Sequence, residues 1–425
     1  MTDISTKTSV LLTLSLLKGV GPAALRHVAQ IPFFEDEDIA ELIGGLPRNA
    51  GAKIDAAAIT AAANEADRQI GLADAAGARI ISTADQDYPL LLKKTKDDPQ
   101  ILFVKGNLAS EPERSVAVIG TREPTVHGTI IAKRLTRFFV EEGWSVVSGL
   151  ALGCDALAHE AAMNAAGHTV AVLAHGLQTI APSRHKNLAA RILETGGALV
   201  TEYTFGQEPL PTNFVKRDRI QAGFARGVVM IQSDIQGGSL HASRASVGYG
   251  RWLAVPFPTE QDISRGEPKI QANLKLADGT PDEKATLLKC DTSDLNRLIV
   301  LRGKSDYALL LGTHLLLDQT KPEPNSEPAP IGDLFSALPA PQQADAVRTK
   351  PPDAGRTSQT LLDHMATMEK QLEVYHHRLV EHGRDIAQQE HFQQLLRDFD
   401  RLEESLRRVS EIETRVAQES KLNRP

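Results

Sequence analysis

Between Ser115 and Pro258 the chain alternates short apolar segments with longer amphipathic stretches, and this alternation limits the possible folds more than any other feature. Six of the apolar segments have the composition of buried strands. They are Val116–Gly120, Ser145–Gly149, Thr169–Ala174, Ala198–Glu202, Gly227–Gln232 and Leu253–Phe257. Apolar strands separated by helices are typical of a parallel sheet covered on both faces. The sequence therefore predicts an α/β fold that binds ligands beyond the carboxyl ends of its strands.

Three of these strands end in glycine and hydroxyl residues, a pattern that favours anion binding. The residues are Gly120 and Thr121 after the first strand, Ser148 and Gly149 at the end of the second, and Gly238 and Ser239 after the fifth. Turns of this kind expose backbone N–H groups at a helix N-terminus, and Arg122 adds a cation that can hold a phosphate. The alternative is an ordinary turn with a surface arginine. We expect the three strand ends to form one phosphate-binding pocket.

A dense group of basic residues precedes the fifth strand, in the segment NFVKRDRIQAGFARG. The group contains Lys216, Arg217, Arg219 and Arg226. In an extended chain, Arg217 and Arg219 would face one side and Asp218 the other. Phe214 could stack on a base in the same cluster. The alternative is a solvated charge cluster, but its place directly before a buried strand favours a role in the pocket.

Asp155 and His159 lie four residues apart at the start of the predicted helix after the second strand. A carboxylate in the first turn of a helix is stabilised by the helix dipole without any catalytic role. A histidine at this position is more often packed or hydrogen-bonded than reactive. We therefore expect structural roles for both residues and assign no catalytic residue.

The charge of the chain is unevenly distributed. The 425 residues carry a net charge of -7, whereas Arg114 to Pro258 contain 14 Lys and Arg against 10 Asp and Glu, a net charge of +4. A local positive field of this kind suits a polyphosphate or a nucleic-acid backbone. Aromatic residues make up only 4% of the chain, which argues against a large base-stacking platform.

The sequence contains no signal for a metal, a cofactor or a membrane. Cys154 and Cys290 lie too far apart in sequence for a disulfide framework or a thiolate zinc site. We see no activated nucleophile, no metal-ligand cluster and no dinucleotide fingerprint. There is no apolar run of about 18 residues and no signal-peptide pattern at the start, so we expect a cytoplasmic protein.

The sequence divides into four predicted regions. Residues 1–84 are rich in Ala and Leu with helical spacing, and 85–318 hold the α/β domain, with its core at 115–258. Residues 319–359 are rich in Pro, Ala and Asp, a composition typical of a disordered linker. Residues 360–420 repeat apolar positions at spacings of three and four, which indicates a coiled coil that self-associates. The alternative for this last region is an amphipathic helix packed on its own core.

Several motifs resemble the DNA-processing protein A family, also called DprA or Smf. They occur in the family's order over about 40% of the chain, and they read DYPLLL…DDPQILFVKGN, VAVIGTREPTVHG, VVSGLALGCDALAH, TVAVLAHGL…PSRHKNL, GGALVTEY, FVKRDRIQAG and GGSLHASRASVGYGR. The N-terminal LLKGVGPAALRHV is similar to the helix-hairpin-helix element that many members carry.

The resemblance implies a Rossmann-like, doubly wound, mostly parallel sheet that binds single-stranded DNA and delivers it to a RecA-type recombinase during transformation or recombination. It also implies a homodimer or higher homo-oligomer without a cofactor. Carried over by motif, the pocket would use the residues Gly120, Thr121, Arg122, Ser148, Gly149, Phe214, Lys216, Arg217, Arg219, Gly238 and Ser239. Arg122 and Arg217 would hold phosphates.

The chain departs from the family pattern at several pocket positions. Leu152 stands where lysine is common, Asp218 where an amide is usual, and Gln232 where glutamate is frequent. Cys154, His241 and Ser243 also differ, and the usual C-terminal winged helix is not visible. A diverged member in a defence system or mobile element would have such a sequence.

Two further functions remain open. The chain could be a nucleotide sensor or a nucleoside-monophosphate phosphoribohydrolase of the same superfamily. Those hydrolases rely on a PGGxGTxxE motif, and the corresponding QGGSLHASR has no glutamate. Asp155 or Glu202 would then be the candidates for a weak activity. Alternatively, the coiled coil recruits a partner to a scaffold in which the nucleotide-binding fold is a sensor.

Overall fold

A computed structural model describes residues 4–46 and 54–311 of the chain. The predicted linker at 319–359 and the predicted coiled coil at 360–420 lie outside the described residues. The helices of the described part are α1 Thr6–Ser15, α2 Pro22–Val28, α3 Ile39–Gly44, α4 Ala56–Ala75, α5 Leu90–Lys93, α6 Val126–Glu141, α7 Cys154–Asn164, α8 Lys186–Glu194, α9 Pro211–Phe224, α10 Ser239–Gly248, α11 Glu260–Ser264, α12 Gln271–Asp278 and α13 Pro281–Leu288. None of the helices within 4–46 and 54–311 has the length and apolar character needed to cross a membrane.

The strands of the described residues form one nine-stranded sheet. They are β1 Ala78–Ser82, β2 Ile101–Gly106, β3 Ser115–Ile119, β4 Ser145–Ser148, β5 Thr169–Val172, β6 Ala198–Thr201, β7 Gly227–Met230, β8 Trp252–Pro256 and β9 Leu298–Leu301. Their order is β1-β2-β6-β5-β4-β3-β7-β8-β9. Strands β3 to β9 pair in parallel, whereas β2 pairs antiparallel with both β1 and β6. This arrangement confirms the predicted Rossmann-like, mostly parallel α/β fold.

The central strands are buried on both faces because helices cover each side of the sheet. In β3, Val116 and Val118 pack into a core with residues of α6 and α7. Ala117 and Ile119 point to the opposite face and pack with residues of α9 and α10. Side chains that alternate between two apolar cores explain why the parallel strands are continuous apolar runs in the sequence.

The order of the strands places a switch point between β3 and β7. Strands β4, β5 and β6 follow on one side of β3, and β8 and β9 lie beyond β7 on the other. Ile119 and Met230 pair in register at the ends of β3 and β7. The segments that leave these two strands therefore diverge from the same level of the sheet, which opens a crevice of the kind that binds ligands in α/β proteins.

The N-terminal helices pack on the antiparallel end of the sheet. Residues of α1, α2 and α4 share a core with Ile80 of β1 and Phe103 of β2. The Arg26 guanidinium contacts the buried Asp98 carboxylate at 2.5 Å. The side chain of Gln69 donates to the carbonyl of Phe205 at 3.0 Å and accepts from its N–H at 2.8 Å. Apolar packing and paired polar groups thus join the helical segment to the sheet.

All six predicted strands are present within a residue or two of the expected bounds, and the predicted helix from Asp55 corresponds to α4. Three strands were not predicted. β2 lies within the segment Asp87–Asn107, which we expected to contain only extended chain and turns, and β1 precedes that segment. β9 follows Pro258, in a region whose overall apolar pattern is weak. These strands are only four to six residues long, and a run this short does not by its period distinguish a strand from other structure.

Candidate functional site

A cavity of about 540 Å³ opens at the carboxyl ends of β3 and β7, at the switch point of the sheet. Its walls come from the β3–α6 turn, the start of α7, one face of α9, and the loop that enters α10 together with the start of that helix. The lining residues are Ile119, Gly120, Thr121, Arg122, Ala151, Asp155, Pro211, Phe214, Val215, Arg217, Asp218, Gln221, Ser233, Asp234, Gly237, Gly238, Ser239 and Ala242. Seven of the predicted site residues therefore lie together. Ser148, Gly149, Lys216 and Arg219 are outside this lining.

The β3–α6 turn is held in place by the backbone and presents Arg122 to solvent. The Thr121 N–H donates to the carbonyl of Gln232 at 2.8 Å, and the Thr121 carbonyl accepts from the N–H of Cys154 at 3.1 Å. A β-carbon on Gly120 would lie 2.6 Å from Cys154 Sγ, so only glycine fits between the two turns. Arg122 is exposed, and no hydrogen bond or ion pair joins its side chain to another described residue. Its guanidinium is therefore available to a ligand.

Ser148 and Gly149 support the cavity from beneath. The Ser148 hydroxyl is buried and donates to the carbonyl of Val118 at 2.7 Å, which ties β4 to β3. The Gly149 N–H donates to Asp155 Oδ2 at 3.1 Å. A β-carbon on Gly149 would lie 1.8 Å from Arg217 Nη1, so the absence of a side chain makes room for the guanidinium.

The segment around Arg217 is helical, so the expectation of an extended chain is wrong. Residues two apart on a helix point in directions about 200° apart, not to the same side. Arg217 faces the cavity, whereas Arg219 points away and forms an ion pair with Glu202 at 2.7 Å. Lys216 is exposed outside the lining. The helix forms because Pro211 suits a first helical position and the apolar residues of α9 face the core.

Arg217 is a buried cation whose positive charge is already balanced by nearby carboxylates. Only 3% of its side chain is exposed, Nη1 donates to the carbonyl of Val172 at 2.6 Å, and Nε lies 3.4 Å from Asp218 Oδ1. Burial raises the pKa of Asp155, and the positive charge of Arg217 opposes this rise. The guanidinium therefore acts first as the counter-charge of two carboxylates at the floor of the cavity.

Asp218 and Gln221 are cavity residues that the sequence reasoning did not assign. Asp218 Oδ1 accepts from Gln221 Nε2 at 2.9 Å. Burial raises the pKa of Asp218 to about 7, against the opposing effect of Arg217. Residues three apart are neighbours on a helix, so a helical reading of the segment would have placed these two side chains together.

The loop between β7 and α10 brings glycine and serine to the opposite wall. The Ser239 hydroxyl donates to Ser233 Oγ at 2.8 Å, and the Ser233 N–H donates to Asn273 Oδ1 at 3.0 Å. A β-carbon on Gly237 would lie 2.3 Å from Ser233 Oγ, whereas one on Gly238 would meet no atom within 4 Å. Gly238 thus borders open space at the N-terminus of α10, where backbone N–H groups favour an anion.

Apolar side chains form the outer rim. Phe214 is partly buried, and Val215 is 46% exposed, one turn before the polar residues of α9. An aromatic ring beside an exposed arginine gives a surface on which a planar group can stack. The cavity thus combines a cation, backbone N–H groups, carboxylates and an apolar rim.

Of the residues weighed as catalytic candidates, Asp155 lies in the cavity lining, whereas His159 and Glu202 lie outside it. His159 is fully buried, its Nδ1 lies 2.8 Å from Thr169 Oγ1, and burial lowers its pKa to about 3. The interpretation of His159 as a packed histidine is confirmed. Glu202 pairs with Arg219 outside the cavity lining. Among the described residues, no group of three or more His, Cys, Asp or Glu side chains is placed to hold a metal ion.

Comparison with known proteins identifies relatives of the α/β part of the chain. Residues 79–280 match the family described as DNA recombination-mediator protein A. The chain is 38% identical over 188 residues to protein Smf of Escherichia coli K12, covering 44% of this chain and 50% of that protein. It is 34% identical over 203 residues to DNA processing protein DprA of Streptococcus pneumoniae, covering 47% of this chain and 71% of that protein. The chain thus spans about half the length of the Escherichia coli relative.

A solved structure has the same fold. The X-ray structure of DNA processing protein A from Streptococcus pneumoniae superposes with a TM-score of 0.53 at 24% identity. The match covers 73% of this chain and 98% of that chain. The sheet and the helices that flank it are therefore shared between the two proteins.

Proposed function

Because the chain belongs to the DNA-processing protein A family, also called DprA or Smf, we propose that it binds single-stranded DNA in the cavity at the switch point. In this proposal the DNA is then presented to a RecA-type recombinase, in transformation, recombination or a related pathway. The observation that carries the proposal is Arg122, an exposed arginine without an ion pair among the described residues, at the mouth of a cavity bordered by backbone N–H groups.

Each wall of the cavity suits one part of a nucleotide. Arg122 and the N-terminus of α10 suit phosphate, because a guanidinium and unpaired N–H groups are donors that phosphate oxygens accept. The rim at Phe214 suits a base, because base stacking on aromatic rings is worth about 1–3 kcal/mol. A base in a duplex is already stacked and paired, so this arrangement favours a single strand.

The contribution of the basic residues differs from that implied by the family motif. Arg217 is buried and shares its charge with Asp155 and Asp218, so we assign it the role of holding the cavity floor. Arg219 is paired with Glu202 away from the cavity, and we assign it the role of anchoring α9. Arg122 then supplies the main cationic contact with phosphate.

We further propose that the protein has no catalytic step of its own and works as a homodimer or larger homo-oligomer. Asp155 accepts hydrogen bonds from the N–H groups of Gly149 and Ala151, which suits a carboxylate that shapes a turn. The self-association is assigned to the predicted coiled coil at 360–420. No cofactor is required for binding of this kind.

The test is fluorescence anisotropy with a labelled thymidine 20-mer and with a duplex of matched length, at two salt concentrations. The proposal predicts a salt-sensitive preference for the single strand. Nucleoside monophosphates at millimolar concentration should compete weakly. Binding of a nucleoside monophosphate without binding of either DNA would support the alternative of a small-nucleotide sensor instead. Release of a base from the monophosphate would support a phosphoribohydrolase.

A further inference from the structure

The floor of the cavity presents hydrogen-bond acceptors that lack donors. Asp218 Oδ1 accepts from Gln221 Nε2 and lies 3.4 Å from Arg217 Nε. No hydrogen bond to another described residue involves the second carboxylate oxygen, Oδ2. Gln221 is 2% exposed, and its Oε1 is buried without a hydrogen-bond partner among the described residues. Its Nε2 is engaged by the carboxylate, so the amide oxygen of Gln221 is left as an acceptor.

An unpaired buried acceptor such as Gln221 Oε1 is unfavourable, so a ligand that supplies a hydrogen-bond donor at this point gains binding free energy. Phosphate cannot supply them, because its oxygens are acceptors and its charge repels a carboxylate. A nucleobase can supply them through its ring N–H and amino groups. The cavity therefore offers hydrogen-bond acceptors at Asp218 and hydrogen-bond donors at Arg122.

The four bases differ in the donors on their Watson–Crick edges. Guanine carries adjacent N1–H and N2–H donors, which match the two oxygens of an ionised carboxylate. Thymine offers one N–H between two carbonyl oxygens, and adenine and cytosine each place an acceptor beside an amino group. A carboxylate accepts but does not donate, so it pairs best with guanine.

We propose that Asp218, supported by Gln221, forms a base-reading subsite that selects guanine within the single strand. This inference rests on the proposed function and deepens it: the cavity holds one nucleotide, with its phosphate at Arg122 and its guanine edge at Asp218. An amide at position 218 would carry one donor and one acceptor, so it would lack the matched pair of acceptors. The selectivity is thus a property of this chain's own residue.

The structural requirements of the fold leave Asp218 available for this role. The Arg217 guanidinium is held by a hydrogen bond to the carbonyl of Val172, and its contact with Asp218 is a 3.4 Å ion pair between Nε and Oδ1 without a hydrogen bond. The charged groups that act on Asp218 are Arg217, Arg122 and Asp155. At pH 8 the carboxylate is ionised, since its pKa is about 7. Binding is therefore best measured at that pH.

The experiment uses the full chain and thymidine 12-mers that carry isolated guanines, so that no quadruplex forms. In a second oligonucleotide each guanine is replaced by inosine, which lacks the N2 amino group, and in a third by 7-deazaguanine, which retains the Watson–Crick edge. Loss of one hydrogen bond to a charged acceptor costs about 1.5–3 kcal/mol, so inosine should weaken binding about tenfold or more. The 7-deazaguanine oligonucleotide should bind like the guanine one.

Two variants complete the test. Asp218→Asn is nearly isosteric and should reduce the guanine-to-inosine ratio to less than twofold. Glu123→Gln is the matched control, because it also removes one negative charge near Arg122 but from an exposed side chain paired with Lys269. The control should raise affinity for all three oligonucleotides equally and keep their ratio.

The outcomes separate this inference from the function on which it rests. Equal binding of the guanine and inosine oligonucleotides by the unmodified protein overturns the base-reading subsite but leaves single-strand binding in place. An unchanged ratio in Asp218→Asn overturns the assignment of the subsite to Asp218. Failure to bind any of the oligonucleotides contradicts the proposed function itself.

Discussion

The Arg217 guanidinium packs directly on the backbone of Gly149, where even a methyl group would lie 1.8 Å from Nη1. The two residues lie on different elements, at the end of β4 and in the middle of α9. Their contact explains how a buried arginine fits beneath the cavity and reaches the carbonyl of Val172. The charge balance of the site therefore depends on a glycine that lies outside the lining of the cavity.

A methyl group at position 149 should destabilise the protein. In Gly149→Ala the new β-carbon collides with a guanidinium that is only 3% exposed and cannot move into solvent. Overpacking of this kind typically costs about 1–3 kcal/mol. Chemical denaturation monitored by circular dichroism measures the decrease in stability. If Gly149→Ala were as stable as the parent, the Arg217 guanidinium would not be packed tightly against Gly149.

A side chain at position 238 should block the ligand without harming the fold. Gly238 has φ of -60° and ψ of -32°, which any residue adopts, and a β-carbon there meets no atom within 4 Å. Gly238→Leu should therefore weaken single-strand binding about tenfold or more while the melting temperature changes little. Gly248→Leu, at the opposite end of α10 and equally unobstructed, is the control and should bind normally.

Asp218 should make stability depend on pH in an identifiable direction. Folding raises its pKa from 3.8 to about 7, so the folded state favours the protonated form. The contribution of protonated Asp218 to the stability of the fold is fully present below about pH 4 and is lost as the pH rises to about 7. Asp218→Asn stays neutral, so it should be more stable than the parent at pH 8 by on the order of 1–3 kcal/mol. Near pH 4 the difference in stability between the two proteins should vanish. Denaturation curves of both proteins at pH 4 and at pH 8 test this prediction.

The sequence predicts that oligomer size depends on the C-terminal region. A chain that ends at residue 318 lacks the predicted linker and coiled coil, so its mass by light scattering should fall relative to the full chain's oligomer. DNA binding by the cavity should persist, although with lower avidity. An unchanged number of subunits would contradict the coiled-coil interpretation.

The parallel sheet could be predicted from the sequence because strands buried on both faces must be apolar throughout. Val116 and Ala117 face opposite cores, and both are fully buried. β9 was not recognised, because Leu298 is only partly buried and the strand is four residues long. All four residues of β9 are apolar, but so short a run does not by its period distinguish a strand from a helix or a loop.

The helical form of α9 was not predicted, and the reason lies in the polar residues on its buried face. Its buried positions include the polar residues Asn213, Arg217 and Gln221 because that face borders a polar cavity. The usual apolar period of a helix is therefore interrupted, and the alternating charges favoured an extended chain. The turn from Gly120 to Arg122, whose glycine and hydroxyl residues signal a strand end, lies in the lining of the cavity, and its phosphate-binding role stays a prediction.

The central claim is that the cavity binds the phosphates of a single strand through Arg122. The most direct measurement compares Arg122→Ala with Arg137→Ala, an exposed arginine near the far end of α6, by anisotropy with a thymidine 20-mer over a series of salt concentrations. We expect Arg122→Ala to weaken binding about tenfold and to reduce the slope of log affinity against log salt by about 0.7 for each phosphate that the protein no longer neutralises. Arg137→Ala should match the parent. Equal affinities and equal slopes for the two variants would contradict the claim.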